Sequence, residues 1–327
     1  MTTPRKILVM GGAGYVGSHV AKELIHSGLD CTVADNLSSG HEKAATIAGA
    51  KFVRADLHDS AALDKLFAEG RFDAVIHLAA SLEVAESAAD PLKYYYNNVS
   101  GTISLLRAME RADVKRMVFS STAAVYGSPD YSPIDEIHPT HPINPYGATK
   151  AAVEKILADL ASAKGFKYIA LRYFNAAGAA PDGTLGESRA RETHLVPLVL
   201  KAVKAGAPVK VFGNDYDTKD GSCIRDYVHV SDLATAHRLA LTKLDETQSE
   251  AVNLGSGQGS SVFEIISAVE NITGAKCCIE VEPRRPGDPP ILIASNAKAK
   301  KILNWKPEFG LDDIIRTAWN WEKNKKF

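Results

Sequence analysis

Short apolar runs and helix-length amphipathic stretches alternate along the first half of the chain. Residues 7–10, 31–34, 51–53, 74–78, 117–120 and 168–171 read as strands, with helix-length segments between them. That βαβα succession predicts an α/β fold, a Rossmann-type doubly wound parallel sheet with helices on both faces. Its ligands are expected beyond the carboxyl ends of the strands. After Arg172-Tyr-Phe-Asn175 the texture changes to Gly- and Pro-bearing loops, shorter strands, and helices over residues 196–204, 262–273 and 311–323. The expected division is a main-sheet domain over 1–175 and a smaller C-terminal α/β domain over 176–327. Two segments within 209–232, residues 209–212 and 227–230, are candidates to return as extra strands of the main sheet.

With 327 residues, 45% of them hydrophobic, the chain can bury one large core or two modest ones. Its 38 basic and 39 acidic residues leave a net charge of −1, which gives no reason to expect nucleic acid or an anionic membrane as partner. Any phosphate binding must therefore be local. Cys31, Cys223 and the adjacent Cys277 and Cys278 make no CxxC pair and no zinc spacing, so they read as packing residues in a reducing compartment, and no metal is expected. The leading residues run straight into an apolar strand with no segment long enough for a signal peptide or membrane span, so the expected location is cytoplasmic.

Two motifs carry chemistry. Gly11, Gly14 and Gly17 follow the first strand and open a helix; without Cβ atoms they permit a tight turn and let backbone amides approach a pyrophosphate at the helix N-terminus. Asp35 closes the second strand about twenty residues downstream, where a carboxylate accepts from adenosine ribose hydroxyls and repels a 2′-phosphate. No Arg lies between Asp35 and Gly40, so NAD is favoured over NADP. Asp56 and Leu57 follow the third strand; they stand at an adenine edge, or Asp56 caps a helix beginning near Ser60. The second motif is Tyr146-Gly-Ala-Thr-Lys150. Residues four apart on a helix share a face, and an ammonium beside a phenol favours the phenolate, lowering the Tyr pKa from its ordinary value of about 10. Alone, that spacing is weak; the nucleotide loop gives it meaning.

Together with Asp35, His77-Leu-Ala-Ala80 and Ser120-Ser-Thr-Ala-Ala-Val-Tyr-Gly127, these motifs resemble the extended short-chain dehydrogenase/reductases. Within them the chain is most similar to the UDP-glucose 4-epimerase family. That narrower likeness rests on Tyr94-Tyr-Tyr-Asn-Asn-Val99, Leu171-Arg-Tyr-Phe-Asn-Ala-Ala-Gly178, Phe212-Gly-Asn-Asp-Tyr216, Arg225-Asp-Tyr-Val-His229, Asn253-Leu-Gly-Ser-Gly257 and Arg284-Arg-Pro-Gly-Asp288.

The resemblance implies that Tyr146 is the base, that Lys150 lowers its pKa and binds the nicotinamide ribose, and that Thr122 takes the place of the family's usual serine. Its hydroxyl is kept, but the extra methyl stiffens χ1 and narrows the site. The NAD pocket implied comprises Gly11, Gly14, Tyr15, Val16, Gly17, Asp35, Asn36, Asp56, Leu57, Leu78, Ala79, Ala80, Asn97, Lys150 and Tyr173. Leu82 departs from a lysine found near the pyrophosphate in some members. The UDP-sugar pocket implied comprises Thr122, Tyr146, Phe174, Asn175, His194, Leu195, Phe212, Arg225, Arg285 and Asp288, with Arg284 an adjacent alternative. Arg suits a diphosphate because its planar fork donates charge-assisted hydrogen bonds. His194 stands where asparagine occurs in some relatives. Leu292 falls where sugar-pocket bulk decides whether an N-acetyl group fits, and Leu is intermediate.

The activity implied is an NAD-dependent 4-epimerase interconverting UDP-glucose and UDP-galactose through a 4-keto intermediate, in a homodimer built on segments 91–111 and 146–162. Related dehydratases carry Asp-Glu after the catalytic Thr; here Ala123 and Ala124 cannot transfer a proton, which argues against dehydration. Epimerases of UDP-N-acetylglucosamine, UDP-xylose or UDP-glucuronate are the alternative reading. A non-catalytic NAD-binding scaffold is a further one.

Overall fold

The computed structural model describes residues 5–285 and 287–327; residues 1–4 and Pro286, within the Arg284–Asp288 motif, lie outside the described residues. Among the described residues thirteen strands follow in chain order. The first half supplies β1 (Lys6–Met10), β2 (Asp30–Asp35), β3 (Lys51–Arg54), β4 (Ala74–His77), β5 (Arg116–Thr122) and β6 (Lys167–Tyr173). The second supplies β7 (Asn175–Ala177), β8 (Val209–Phe212), β9 (Ile224–His229), β10 (Glu250–Leu254), β11 (Gly259–Ser261), β12 (Ile279–Glu282) and β13 (Ile291–Leu292). The main sheet has the order β10-β6-β5-β4-β1-β2-β3, with every pair parallel.

Parallel strands covered on both faces must be apolar at successive positions, and β1 shows how that burial is divided. Ile7 and Val9 face one core, shared with Val20 and Leu24 of the helix Tyr15–His26 and Leu233 and Leu241 of the helix Val230–Lys243. Leu8 and Met10 face the other, with Leu63, Leu105, Met109 and Leu157 from helices on the opposite side. All four β1 side chains are essentially inaccessible, each worth about 1.5–3 kcal/mol of hydrophobic burial. The sheet order reverses between β1 and β4, which opens a crevice beyond their carboxyl ends.

The second half builds a separate core, in which Val209 and Val211 pack with Val199, Ile265 and Ile314 from three helices, Leu195–Ala205, Val262–Thr273 and Leu311–Lys323. One expectation needs correcting. Strands within 209–232 do not return to the main sheet: β8 pairs with β12, and β9 joins β7, β11 and β13. The returning strand is β10, parallel to β6, and the helix Val230–Lys243 leads back to it. Among the cysteines, Cys31 and Cys223 are buried as packing residues, whereas Cys278 is exposed; all four thiols are free. Among the described residues no helix is long and apolar enough to cross a membrane.

Candidate active site

The turn after β1 is shaped for close backbone approach. Gly11 sits at φ +80°, and a Cβ there would stand 2.5 Å from the Ala79 backbone nitrogen; one at Gly17 would stand 2.2 Å from the Gly11 carbonyl oxygen. The helix Tyr15–His26, with Val16 in its first turn, starts at Gly14 with no side-chain cap and no acidic residue in that turn. Its first amides are therefore left for an external anion, and the residues present fit a dinucleotide pyrophosphate. Leu78 and Ala79 donate their amides to the Met10 carbonyl at 2.8 and 3.1 Å, closing the opposite lip beside half-buried Ala80.

Asp35 ends β2 with Oδ2 accepting from the Ala13 amide (3.1 Å) and Oδ1 from Leu37 (2.8 Å). A carboxylate oxygen has two acceptor sites, so each retains capacity for a ribose hydroxyl. Burial raises its pKa, against the pull of the Leu37 and Ala13 amides. Asn36 donates to Asp56 at 2.8 Å and, with the His58 amide, holds that carboxyl below its usual range. The open choice at Asp56 is resolved as far as capping goes: Asp59 caps the helix Ser60–Gly70 through the Ala62 amide. Leu57 is buried beneath Gly101. Asn97 lies in a π-helical turn, Tyr95–Ser100, and bonds only its neighbour Asn98 among the described residues. Asn98, not singled out from the sequence, ties Ser81 to Thr149 of the helix Pro145–Lys164 through its carboxamide. Leu82 is half-buried in the same segment.

The helix Pro145–Lys164 is started by Asn144, whose side chain accepts from the Gly147 amide at 2.8 Å, with Pro at the first position. That cap places Tyr146 in the first turn and Lys150 one turn later. Thr122 ends β5 and accepts from the Ala124 amide at 3.1 Å. The pair departs from the expected electrostatics. Burial raises the Tyr146 phenol above its ordinary value, opposed by the Thr122 hydroxyl and by Arg189, with Lys150 not among the groups acting on it. Lys150 instead donates to the Ser120 carbonyl at 2.7 Å, sits 4.8 Å from the Phe119 ring centroid, and is itself pushed down to about 7 by burial. Its charge is spent on β5 rather than on the phenol. Tyr173, at the end of β6 opposite Thr122, bonds the Ser120 hydroxyl, and burial raises its pKa as well.

On the substrate side, Phe174 and Leu292 pack with Ala123, Val125 and Tyr126, so the turn after Thr122 meets the second half of the chain directly. Asn175 donates to the Asp226 carbonyl at 3.0 Å. Arg225 donates to the Pro289 carbonyl (2.8 Å) and lies 3.5 Å from Asp288, while Arg285 covers the Phe212 ring at 3.8 Å. Arg284 is drawn away onto Asp215. His194, just before Leu195, is held by Glu187 at 2.8 Å, with Arg189 on the same carboxylate at 2.6 Å. Glu187, Glu192 and His194 bring ligand-type atoms within 4.8 Å of one another, yet cations already serve them: Arg189 on Glu187 and Lys201 at 3.7 Å from Glu192.

Sequence reasoning missed Glu187 and Arg189. Arg189 acts on both Tyr15 and Tyr146, and Tyr15 donates its hydroxyl to the Gly178 carbonyl at 2.6 Å. The run Glu187-Ser-Arg-Ala-Arg191 gave only a charged surface pattern as its signal.

The pattern of the NAD dependent epimerase/dehydratase family matches residues 7–255. The chain is 50% identical over 322 residues to a UDP-glucose 4-epimerase of Lactobacillus helveticus, covering 98% of this chain and 97% of that protein. Among solved structures it superposes with TM-score 0.93 on the UDP-glucose 4-epimerase from Brucella ovis in complex with NAD, at 47% identity, covering 96% of this chain and 97% of that one. The UDP-glucose-4-epimerase from Stenotrophomonas maltophila, with bound NAD and formylated UDP-arabinopyranose, superposes with TM-score 0.95 at 40% identity, covering 98% of each chain.

Proposed function

Because the chain belongs to the NAD dependent epimerase/dehydratase family, we propose that it is an isomerase, an NAD-dependent UDP-glucose 4-epimerase interconverting UDP-glucose and UDP-galactose. The observation that carries the reading is the meeting of Thr122, Tyr146 and Lys150 at the carboxyl end of β5, beside the uncapped helix after β1, with only methyl groups at Ala123 and Ala124. NAD held on that helix N-terminus would supply a reversible hydride acceptor for sugar C4.

The chain's own residues do the rest. Tyr146 takes the 4-hydroxyl proton and gives it back after the 4-keto sugar has turned over, while Thr122 orients the sugar oxygen. Lys150, near 7, is within reach of either protonation state at neutral pH and anchors the nicotinamide ribose. Arg225 and Arg285 hold the diphosphate once Arg285 leaves the Phe212 ring, and Asp288, Asn175 and His194 complete the nucleotide side. A firmly held nucleotide and a lightly held sugar are what turnover of the ketone requires.

The functional division follows as 1–175 for NAD and 176–327 for the nucleotide sugar, with 230–254 contributing its helix and strand to the first part. The assembly is a homodimer through the helices Gly101–Arg111 and Pro145–Lys164. It is supported by exposed Leu92 (79%) and Tyr96 (60%) nearby and by a groove of about 230 Å³ lined by Ile103, Leu106, Ile156, Leu160 and Phe166. The mass in solution decides it. Four free thiols support a cytoplasmic location.

Purified protein incubated with UDP-galactose and no added NAD is expected to yield UDP-glucose as the product seen by chromatography. A 4-keto-6-deoxy product would overturn the reading. Parallel incubations with UDP-N-acetylgalactosamine and UDP-xylose separate it from the other UDP-sugar epimerases.

A further inference from the structure

We propose that Glu154 is a positioning residue of the reaction: with Arg172 it clamps β5 on both sides of Thr122 and sets that hydroxyl in register with Tyr146 and Lys150. The proposal rests on the catalytic reading of those three residues given above.

Tyr146, Lys150 and Glu154 are spaced i, i+4, i+8 on the helix Pro145–Lys164 and share one face. Each meets the end of β5. Tyr146 meets Thr122, Lys150 donates to the Ser120 carbonyl at 2.7 Å, and Glu154 accepts a hydrogen bond from the Ser121 hydroxyl. Arg172 of β6 holds Glu154 with its fork, Nε at 2.9 Å and Nη2 at 2.5 Å from the two carboxylate oxygens. Its remaining arm, Nη1, donates to the Tyr126 hydroxyl at 2.9 Å, and Tyr126 donates onward to Asn253 of β10 at 2.7 Å. Ser121 precedes Thr122 and Tyr126 follows the short turn after it, so one ion pair brackets the catalytic threonine.

A purely structural reading explains this arrangement less well. The pair is nearly dry, with side chains 9% and 13% exposed, and buried ion pairs contribute little net stability over apolar residues of equal volume. What such a pair does supply is a fixed geometry, since every polar atom of the bracket has a directed partner. Glu154 is also the acid on Lys150's own face, and its charge opposes the burial that drives Lys150 down to about 7.

The other titratable and charged groups facing Lys150 and Glu154 are His77 on β4, which burial holds neutral, Tyr146 on the same helix, Tyr126 after β5, and Tyr168 and Arg172 on β6. Tyr173 lies beyond Ser120. Glu136 and Glu250 lie farther out, on the Asn253 amide and on Lys298. Removing the Glu154 charge therefore lowers the Lys150 pKa further, so Lys150 loses its proton at lower pH.

The test compares Ser121→Ala, Glu154→Gln, the double variant Glu154→Met/Arg172→Met and Tyr146→Phe, scoring kcat, KM, the pH profile of kcat and the melting temperature. The double variant removes both charges and leaves neither buried alone. Expected are a loss of about tenfold in kcat for Glu154→Gln and the double variant, and about fivefold for Ser121→Ala, with KM within about twofold. In Glu154→Gln the alkaline limb of the kcat profile moves to lower pH. Wild-type kcat and alkaline limb in these variants would overturn the clamp, and should Glu154→Gln fail to fold, Ser121→Ala and the double variant decide. A fully active Tyr146→Phe would instead overturn the catalytic reading beneath it.

Discussion

Tyr146→Phe is expected to cut kcat for 4-epimerisation by about a thousandfold, roughly 4 kcal/mol of transition-state stabilisation, with NAD retained and the fold intact. Phe keeps the ring that the capped first turn of the helix carries, so packing changes little; what goes is the hydroxyl proposed to exchange a proton with the sugar 4-hydroxyl. No neighbour substitutes. Ala123 and Ala124 are inert, Thr122 is too weak an acid, and Lys150 is directed at the Ser120 carbonyl. Steady-state rates with either UDP-hexose, together with the absorbance of retained cofactor, check it. A kcat within fivefold of wild type would remove Tyr146 from the role of base. The raised phenol also sets an electrostatic demand. Burial works against the phenolate, so the lowering must come from the Thr122 hydroxyl and the Arg189 charge in the chain and from the positive charge that an oxidised nicotinamide would bring.

Gly17→Ala is the second large effect, and it falls on the cofactor. The added Cβ would stand 2.2 Å from the Gly11 carbonyl oxygen and 2.7 Å from the Gly12 Cα. Both are backbone atoms, so no rotamer change relieves the clash; the helix must move away from the glycine turn. Overpacking of this kind costs about 1–3 kcal/mol. If about 2 kcal/mol of it is lost from the bound state, NAD affinity falls roughly thirtyfold. Titration of cofactor-stripped protein with NAD is the measurement. Affinity equal to wild type would mean that the helix N-terminus is not the pyrophosphate seat.

The sequence revealed most where side-chain pattern and backbone role coincide. Strands β1, β2 and β4 to β6 were legible because parallel strands buried on both faces read as apolar runs, the half-exposed edge strand β3 by its short Phe52-Val53 run, and the glycine turn because only glycine tolerates the approach at Gly11 and Gly17. β10 was not. It begins with Glu250 and carries Asn253, a polar residue that is fully buried because Tyr126, Ile134 and Glu136 satisfy it, contacts more than a hundred residues away in sequence. Residues 209–212 showed their strand character but not their partner, since pairing with β12 is non-local. Within the site, the Tyr146 and Lys150 spacing was plain, whereas the direction of the Lys150 ammonium depends on the Ser120 carbonyl and leaves no trace in the spacing. Glu154 reads as a solvated helix charge until Arg172 is placed beside it. Whether His194 contacts a phosphate or serves the structure was open from the sequence, and only the fold shows Glu187 holding it.

The late return of β10 to β6 imposes an order on synthesis. Until residue 254 has left the ribosome, β6 is the open edge of a nearly complete sheet, with its backbone donors and acceptors unpaired on one side. The intervening stretch is about 80 residues, which at 5–20 residues per second is an interval of roughly 4–16 s. During that time the nascent chain carries a β-edge that is not yet covered, and the stretch whose translation delays its closing includes β7, β8 and β9 of the second half.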